Sequence, residues 1–117
     1  MVERESKTQS KAINLLRKKG CYVYKNAQNM YTERGRPDLT ACVPVTLETL
    51  NKLYQPKDTI GLFVGIEMKR PKRIKGTSTA QEVVGRQIQK ASGIWFVADN
   101  PEIIENFIEK FGGWNAL

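Results

Sequence analysis

Histidine is absent from all 117 residues, and this removes whole classes of chemistry. Without imidazole the chain cannot build a Ser-His-Asp triad, a histidine-based zinc site, an HNH-type nuclease centre or an imidazole proton shuttle. Cysteine is almost as scarce: Cys21 and Cys42 lie in apolar, strand-like surroundings and form no CxxC pair, so both read as buried thiols in a reducing compartment. Long apolar runs are missing too. The best are Gly61 to Ile66 and Ile94 to Ala98, far short of a membrane span. The opening MVERESKTQSK is charged from its third residue and leads into no apolar stretch, so no secretory signal is expected and a cytoplasmic location is. Acidic groups are the minority charge, 12 against 19 Lys and Arg.

What remains is the composition of a folded chain, 40% hydrophobic and 26% charged, at a length that suits one domain over residues 1–117. The net charge of +7 on so short a chain points to a polyanionic partner, most simply a nucleic acid. Five of the seven residues from Lys69 to Lys75 (KRPKRIK) are basic, Arg17, Lys18 and Lys19 form a second group, and the last helical pattern carries Glu102, Glu105 and Glu109. One face should be basic and another acidic, although a lysine-rich surface can also be solvation alone.

Periodicity orders the chain as αβββαβα. From Glu3 to Lys19 the stripe Ala12, Ile13, Leu15, Leu16 predicts a helix, stopped by Gly20. Cys21 to Lys25 and Asp38 to Val43 read as strands, and residues 44–60, with Leu47, Leu50 and Leu53, as a short helix inserted into a hairpin connection. Leu62 to Lys69 alternates, with Phe63, Gly65, Glu67 and Lys69 on one face and Leu62, Val64, Ile66 and Met68 on the other. Ser78 to Ser92 is a helix whose Ser78 and Gln81 match a capping box, with Val84, Ile88 and Ala91 as core stripe. Ile94 to Ala98 is a buried strand. Asn100 and Pro101 open a last helix with Ile103, Ile104, Phe107, Ile108 and Phe111 inward, ending at Gly112 and Gly113. Tyr22, Tyr24, Trp95 and Phe96, all in strands, read as core.

The chemistry concentrates in Asp38 on one strand and Glu67 and Lys69, two residues apart, on its neighbour. Strand alternation puts Glu67 and Lys69 on the same face, where they can share a site with Asp38. Two hard oxygen ligands of this kind suit Mg2+ or Mn2+ with positions left open for water and phosphate. The neighbouring lysine can orient the attacking water or neutralise charge on the phosphate. Acidic and basic pairs are also common on exposed strand faces, so this spacing alone is a weak signal.

GRPD (Gly35 to Asp38), IEMKRP (Ile66 to Pro71), and Gln81 followed by IQKASGIWFVAD together resemble the virus-type replication-repair nuclease (VRR-NUC) family of the PD-(D/E)xK nucleases. The resemblance runs from about Glu5 to Phe111. It implies a restriction-endonuclease-like α/β core, a mixed sheet flanked by helices. It also implies Asp38 and Glu67 as metal ligands, the Met68 backbone carbonyl as a third, and Lys69 as the catalytic lysine. Met68 stands where the family more often has valine, a change to which a carbonyl ligand is indifferent. An acidic residue on the first helix and a glutamine after the ExK strand match Glu5 and Gln81. Glu5 continues the face of Gln9, Ala12, Ile13 and Leu16, although a first-turn glutamate also suits the helix dipole. Gln81 can equally serve the cap alone.

Arg34 and Arg36 before the metal aspartate, and Arg70, Lys72, Arg73 and Lys75 after the lysine, are expected to hold phosphates flanking the cut without reading sequence. Gly35 and Pro37 can also be turn chemistry. The expected activity is a Mg2+- or Mn2+-dependent endonuclease on structured DNA. Short stand-alone members of the family resemble Holliday-junction resolvases, which implies four-way junctions as substrate and a homodimer as the working unit. A flap or restriction-type nuclease shares the same core. A binding module without catalysis would need only the basic clusters.

Overall fold

The computed structural model describes residues 4–27, 34–70 and 78–111. Helix α1 (Glu5–Lys18) leads to strands β1 (Tyr22–Lys25) and β2 (Leu39–Cys42), then helix α2 (Leu47–Leu53) and strand β3 (Val64–Met68). Helix α3 (Thr79–Lys90), strand β4 (Ile94–Ala98) and helix α4 (Pro101–Phe111) complete an α/β chain. Among the described residues no helix is long and apolar enough to cross a membrane.

The strands form two ladders. β1 pairs antiparallel with β2, Tyr22 opposite Cys42 and Lys25 opposite Leu39. β3 pairs parallel with β4, Val64 opposite Ile94 and Met68 opposite Ala98. The single mixed sheet expected from the sequence is therefore divided, since β2 and β3 are not paired. A hairpin sets register through a loop of about two to five residues. The connection here runs through residues 43–63 and contains α2, so it imposes no register on β3.

Both long connecting helices end through backbone geometry. The Cys21 N–H reaches the Leu16 carbonyl and the Gly20 N–H the Arg17 carbonyl, a Schellman closure with Gly20 at φ 85°. α3 closes the same way, Gly93 N–H to Ile88 and Ser92 N–H to Gln89, with Ser92 in the left-handed region at φ 69°. Ser92 thus lies outside the helix that the pattern extended to it. At the other end of α3 the Ser78 and Gln81 capping box forms as expected. Asn100 caps α4, its Oδ1 accepting from the Ile103 N–H at 3.2 Å.

The small core comprises Val23, Cys42, Ile88, Ala91 and Ala98, with the Phe96 and Phe107 rings tilted against each other, centroids 4.9 Å apart, between β4 and α4. Several expected core positions lie elsewhere. Leu15 is exposed because the inner face of α1 is Gln9, Ala12, Ile13 and Leu16, each half-buried. Val84 is exposed because the inner face of α3 is Gln81, Gly85, Ile88 and Ala91. Tyr24 is exposed, and Cys21 is only half-buried. Cys42 is buried, and that burial, followed by the influence of Cys21, pushes its thiol pKa up. Its protonated form donates to the Ala91 carbonyl.

Candidate functional site

Glu67 and Lys69 occupy the C-terminal end of β3, and Gln81 lies in the first turn of α3. The alternation seen in the sequence holds: the face carrying Phe63, Gly65, Glu67 and Lys69 turns towards α3, which runs back along the strand. Two small residues allow that approach. A β-carbon on Gly85 would lie 2.4 Å from the Trp95 ring, and one on Gly65 would lie 2.9 Å from Ile88 Cδ1. Gly85 therefore lets the helix axis settle on the indole of β4, which brings Gln81 down to the end of β3. No periodic pattern of apolar residues reveals a glycine in this role.

Gln81 joins the other two residues. Its Nε2 donates to Glu67 Oε1 at 2.5 Å, and its Oε1 accepts from Lys69 Nζ at 2.5 Å and from the Ser78 N–H at 2.9 Å. An ammonium can only donate and a carboxylate can only accept, so this network assigns the orientation of the amide. The direct Lys69 to Glu67 separation is 3.9 Å, with the side chains 13% and 28% exposed. The lysine is thus largely sheltered, while the carboxylate keeps an edge open to water. The cap and the site use the same side chain, because Gln81 Oε1 serves Ser78 and Lys69 together.

Asp38 is held differently. It directly precedes β2 and is exposed. Its backbone carbonyl accepts from the Asn26 N–H at 2.9 Å. Asn26 is 4% exposed, and its Nδ2 donates to the Pro37 carbonyl at 2.7 Å and to Thr40 Oγ1 at 2.8 Å. Its Oδ1 accepts from Arg36 Nη2 at 2.9 Å. One buried asparagine therefore ties down the Arg36-Pro37-Asp38 segment from both sides. In the sequence Asn26 is simply the first residue after the Cys21 to Lys25 strand pattern. The only available signal was a turn-forming residue immediately after a strand.

The structure thus brings Glu67, Lys69 and Gln81 together. Among the described residues no hydrogen bond or ion pair joins the Asp38 side chain to them. Glu5 is exposed in the first turn of α1, where its Oε1 accepts from Gln9 Nε2 at 3.3 Å. Arg34, Arg36 and Arg70 are exposed; Lys72, Arg73 and Lys75 lie outside the described residues. Among the described residues no group of three or more carboxylates, thiols or imidazoles gathers for a metal. The expected donor set is smaller than that, two carboxylates and one carbonyl. Its all-oxygen chemistry and the open edges of Asp38 and Glu67 fit a hard divalent cation that keeps water ligands.

Comparison with protein-family models, with curated proteins and with solved structures finds no match to this chain.

Proposed function

We propose that this protein is a metal-dependent endonuclease of the VRR-NUC type that hydrolyses phosphodiester bonds in structured DNA, four-way junctions above all, and works as a homodimer. The observation that carries the reading is the Gln81 bridge. It holds a partly open carboxylate and a sheltered ammonium on one strand face, at the carboxyl end of a parallel strand pair. The carboxyl ends of parallel strands are the usual location of sites in open α/β sheets. A net charge of +7 and the exposed Arg34, Arg36 and Arg70 supply the attraction that a polyanion requires.

In this reading Asp38, Glu67 and the Met68 carbonyl hold Mg2+ or Mn2+. When bound, the ion stabilises negative charge on the phosphate and on the leaving oxygen. The chain's own groups do the remaining work. Lys69, whose ammonium donates to Gln81 Oε1, would orient the attacking water and face charge that builds on the phosphate. Gln81 keeps the ammonium from collapsing onto Glu67, so both stay directed at the substrate. The water oxygen bonds to phosphorus, the bond to the 3′ oxygen breaks, and that oxygen takes a proton. The products are a 5′-phosphate and a 3′-hydroxyl.

The test is incubation with four-way, flap, single-stranded and linear duplex DNA in Mg2+ and in Mn2+. Cleavage of the junction that chelation stops is the expected result. Binding without cleavage in either metal would replace the nuclease by a nucleic-acid-binding module, and preferential cutting of flaps or linear duplex would change the substrate.

A further inference from the structure

Much of the positive charge lies outside the candidate site. Residues 6–32 contain six Lys and Arg and no Asp or Glu, and residues 83–98 contain Arg86 and Lys90 and again no carboxylate. The fold brings the two stretches together. The ends of α1 and α3 meet around a cleft of about 440 Å³, to which Arg17, Gly20 and Cys21 come from the first and Gln87 and Lys90 from the second. Among the described residues that line it none is acidic, and neither Arg17 nor Lys90 has an ion-pair partner among the described residues. Both are exposed, as are the neighbouring Lys18 and Lys19. Cations suit a helix C-terminus on their own account. Here, however, the carbonyl ends are already closed by backbone, Gly20 N–H to Arg17 and Gly93 N–H to Ile88, and two such ends converge on one cleft.

We propose that this cleft binds a backbone phosphate of DNA away from the cut, so that a duplex arm lies along α3. From Gln81 to Lys90 the helix advances nine residues, about 14 Å at 1.5 Å each. Phosphates advance about 3.4 Å per step along each strand of a duplex, so the cleft holds the backbone about four steps from the bond beside Gln81. Glu82 is the one carboxylate of α3 and lies about 140° around the helix from Gln87, which leaves the side facing the cleft without negative charge. A nucleic acid fits because its phosphates recur: one backbone supplies a charge at the candidate site and another at the cleft. A small anion would occupy only one of them. Contacts of this kind fix the register of the arm without reading its sequence.

The position of the cut rests on the endonuclease reading, whereas the contact at the cleft needs no catalytic step.

The experiment is binding of the full chain to four-way and linear duplex DNA in metal-free buffer over a range of salt. Each phosphate contact contributes about −0.9 to the slope of log affinity against log salt, so Arg17→Ala with Lys90→Ala should flatten it by about one to two units. Lys52→Ala with Lys57→Ala removes the same charge from outside the cleft and should leave the slope as it is. Cys21 lines the cleft and is half-buried, so DNA should slow its alkylation in the wild type and not in the Arg17 and Lys90 double variant. An unchanged slope in that variant, equal flattening in the Lys52 and Lys57 control, or protection of Cys21 by inorganic phosphate but not by DNA would each overturn the proposal. Flattening in a protein that binds but does not cleave would keep the cleft and remove the nuclease, and cleavage with the slope intact in the double variant would do the reverse.

Discussion

The two carboxylates assigned to the site are supported in opposite ways. Glu67 is held through its side chain, by an amide from α3 that is itself locked by the Ser78 cap. Asp38 is held through its backbone, by the buried Asn26, and its carboxylate remains exposed. One side is fixed at the reacting atoms and the other only in the loop that carries them. In the proposed metal site such asymmetry would let the preset Glu67 locate an ion and the adjustable Asp38 complete its ligands. It also follows that damage near Glu67 should alter chemistry, while damage near Asp38 should alter the assembly of the site.

The largest effects should come from the groups themselves. Asp38→Ala, Glu67→Ala and Lys69→Ala should each lower junction cleavage by more than about 100-fold, with the fold intact by circular dichroism. The comparison predicts a difference in metal-free DNA binding. Removing a carboxylate relieves repulsion with phosphate, so both acidic variants should bind DNA at least as tightly as wild type, and Lys69→Ala less tightly. A gel-shift titration in which both acidic variants lose affinity would remove them as ligands.

Next in size is the seat of α3. Gly85→Ala gains about 1 kcal/mol of helix propensity, but its methyl would meet the rigid Trp95 ring at 2.4 Å, where overpacking costs about 1–3 kcal/mol. The clash should prevail and lift Gln81 off Glu67, so the melting temperature and the rate per folded molecule should fall together. Gly65→Ala meets the movable end of Ile88 at 2.9 Å and should be milder. Equal losses from both variants would show that α3 is not seated by Gly85.

On the Asp38 side the equivalent variant is Asn26→Ala. It removes the Asn26 donor to the Pro37 carbonyl and the Asn26 acceptor of Arg36, at a cost of about 1–3 kcal/mol for the hydrogen bonds lost. Because the Asp38 loop loosens while Glu67 and Lys69 stay bridged, the metal concentration for half-maximal cleavage should rise more than the rate at saturating metal falls. Asn26→Asp keeps the acceptor for Arg36 and loses both Nδ2 donors, so it isolates the contribution of Pro37 and Thr40. A fall in saturating rate alone would contradict the asymmetry.

What could be read beforehand follows the same division. The elements of the β3–α3–β4 unit, the capping box and the shared face of Glu67 and Lys69 were legible because they rest on short-range rules: alternation, helical spacing and a cap signature. The Gln81 bridge was half legible, since its cap was clear and its inward face could be counted. Asn26, Gly85 and the missing β2–β3 pairing were not. Each depends on contacts between residues far apart in sequence, and neither a polar residue after a strand nor a glycine in a helix states what it will touch. Leu15 and Val84 were misplaced because a stripe of apolar residues is wider than the face that is buried.

The smallest expected effect separates the cap from the site within one turn of helix. Ser78→Ala removes the acceptor of the Gln81 N–H, at 3.2 Å, but leaves the Ser78 backbone N–H that donates to Gln81 Oε1. The helix should lose roughly 0.5–2 kcal/mol, typically about 1. The amide of Gln81 should still lie between Glu67 and Lys69, so the rate per folded molecule should change little. Gln81→Ala loses the reciprocal half of the capping box and the bridge together, and the amide no longer separates Lys69 from Glu67, 3.9 Å away. Its stability loss should resemble that of Ser78→Ala and its rate loss should be far larger. Paired thermal melts and single-turnover rates on the same preparations measure both quantities. Matching rates for the two variants would leave Gln81 as a cap alone and reduce the site to Asp38, Glu67 and Lys69.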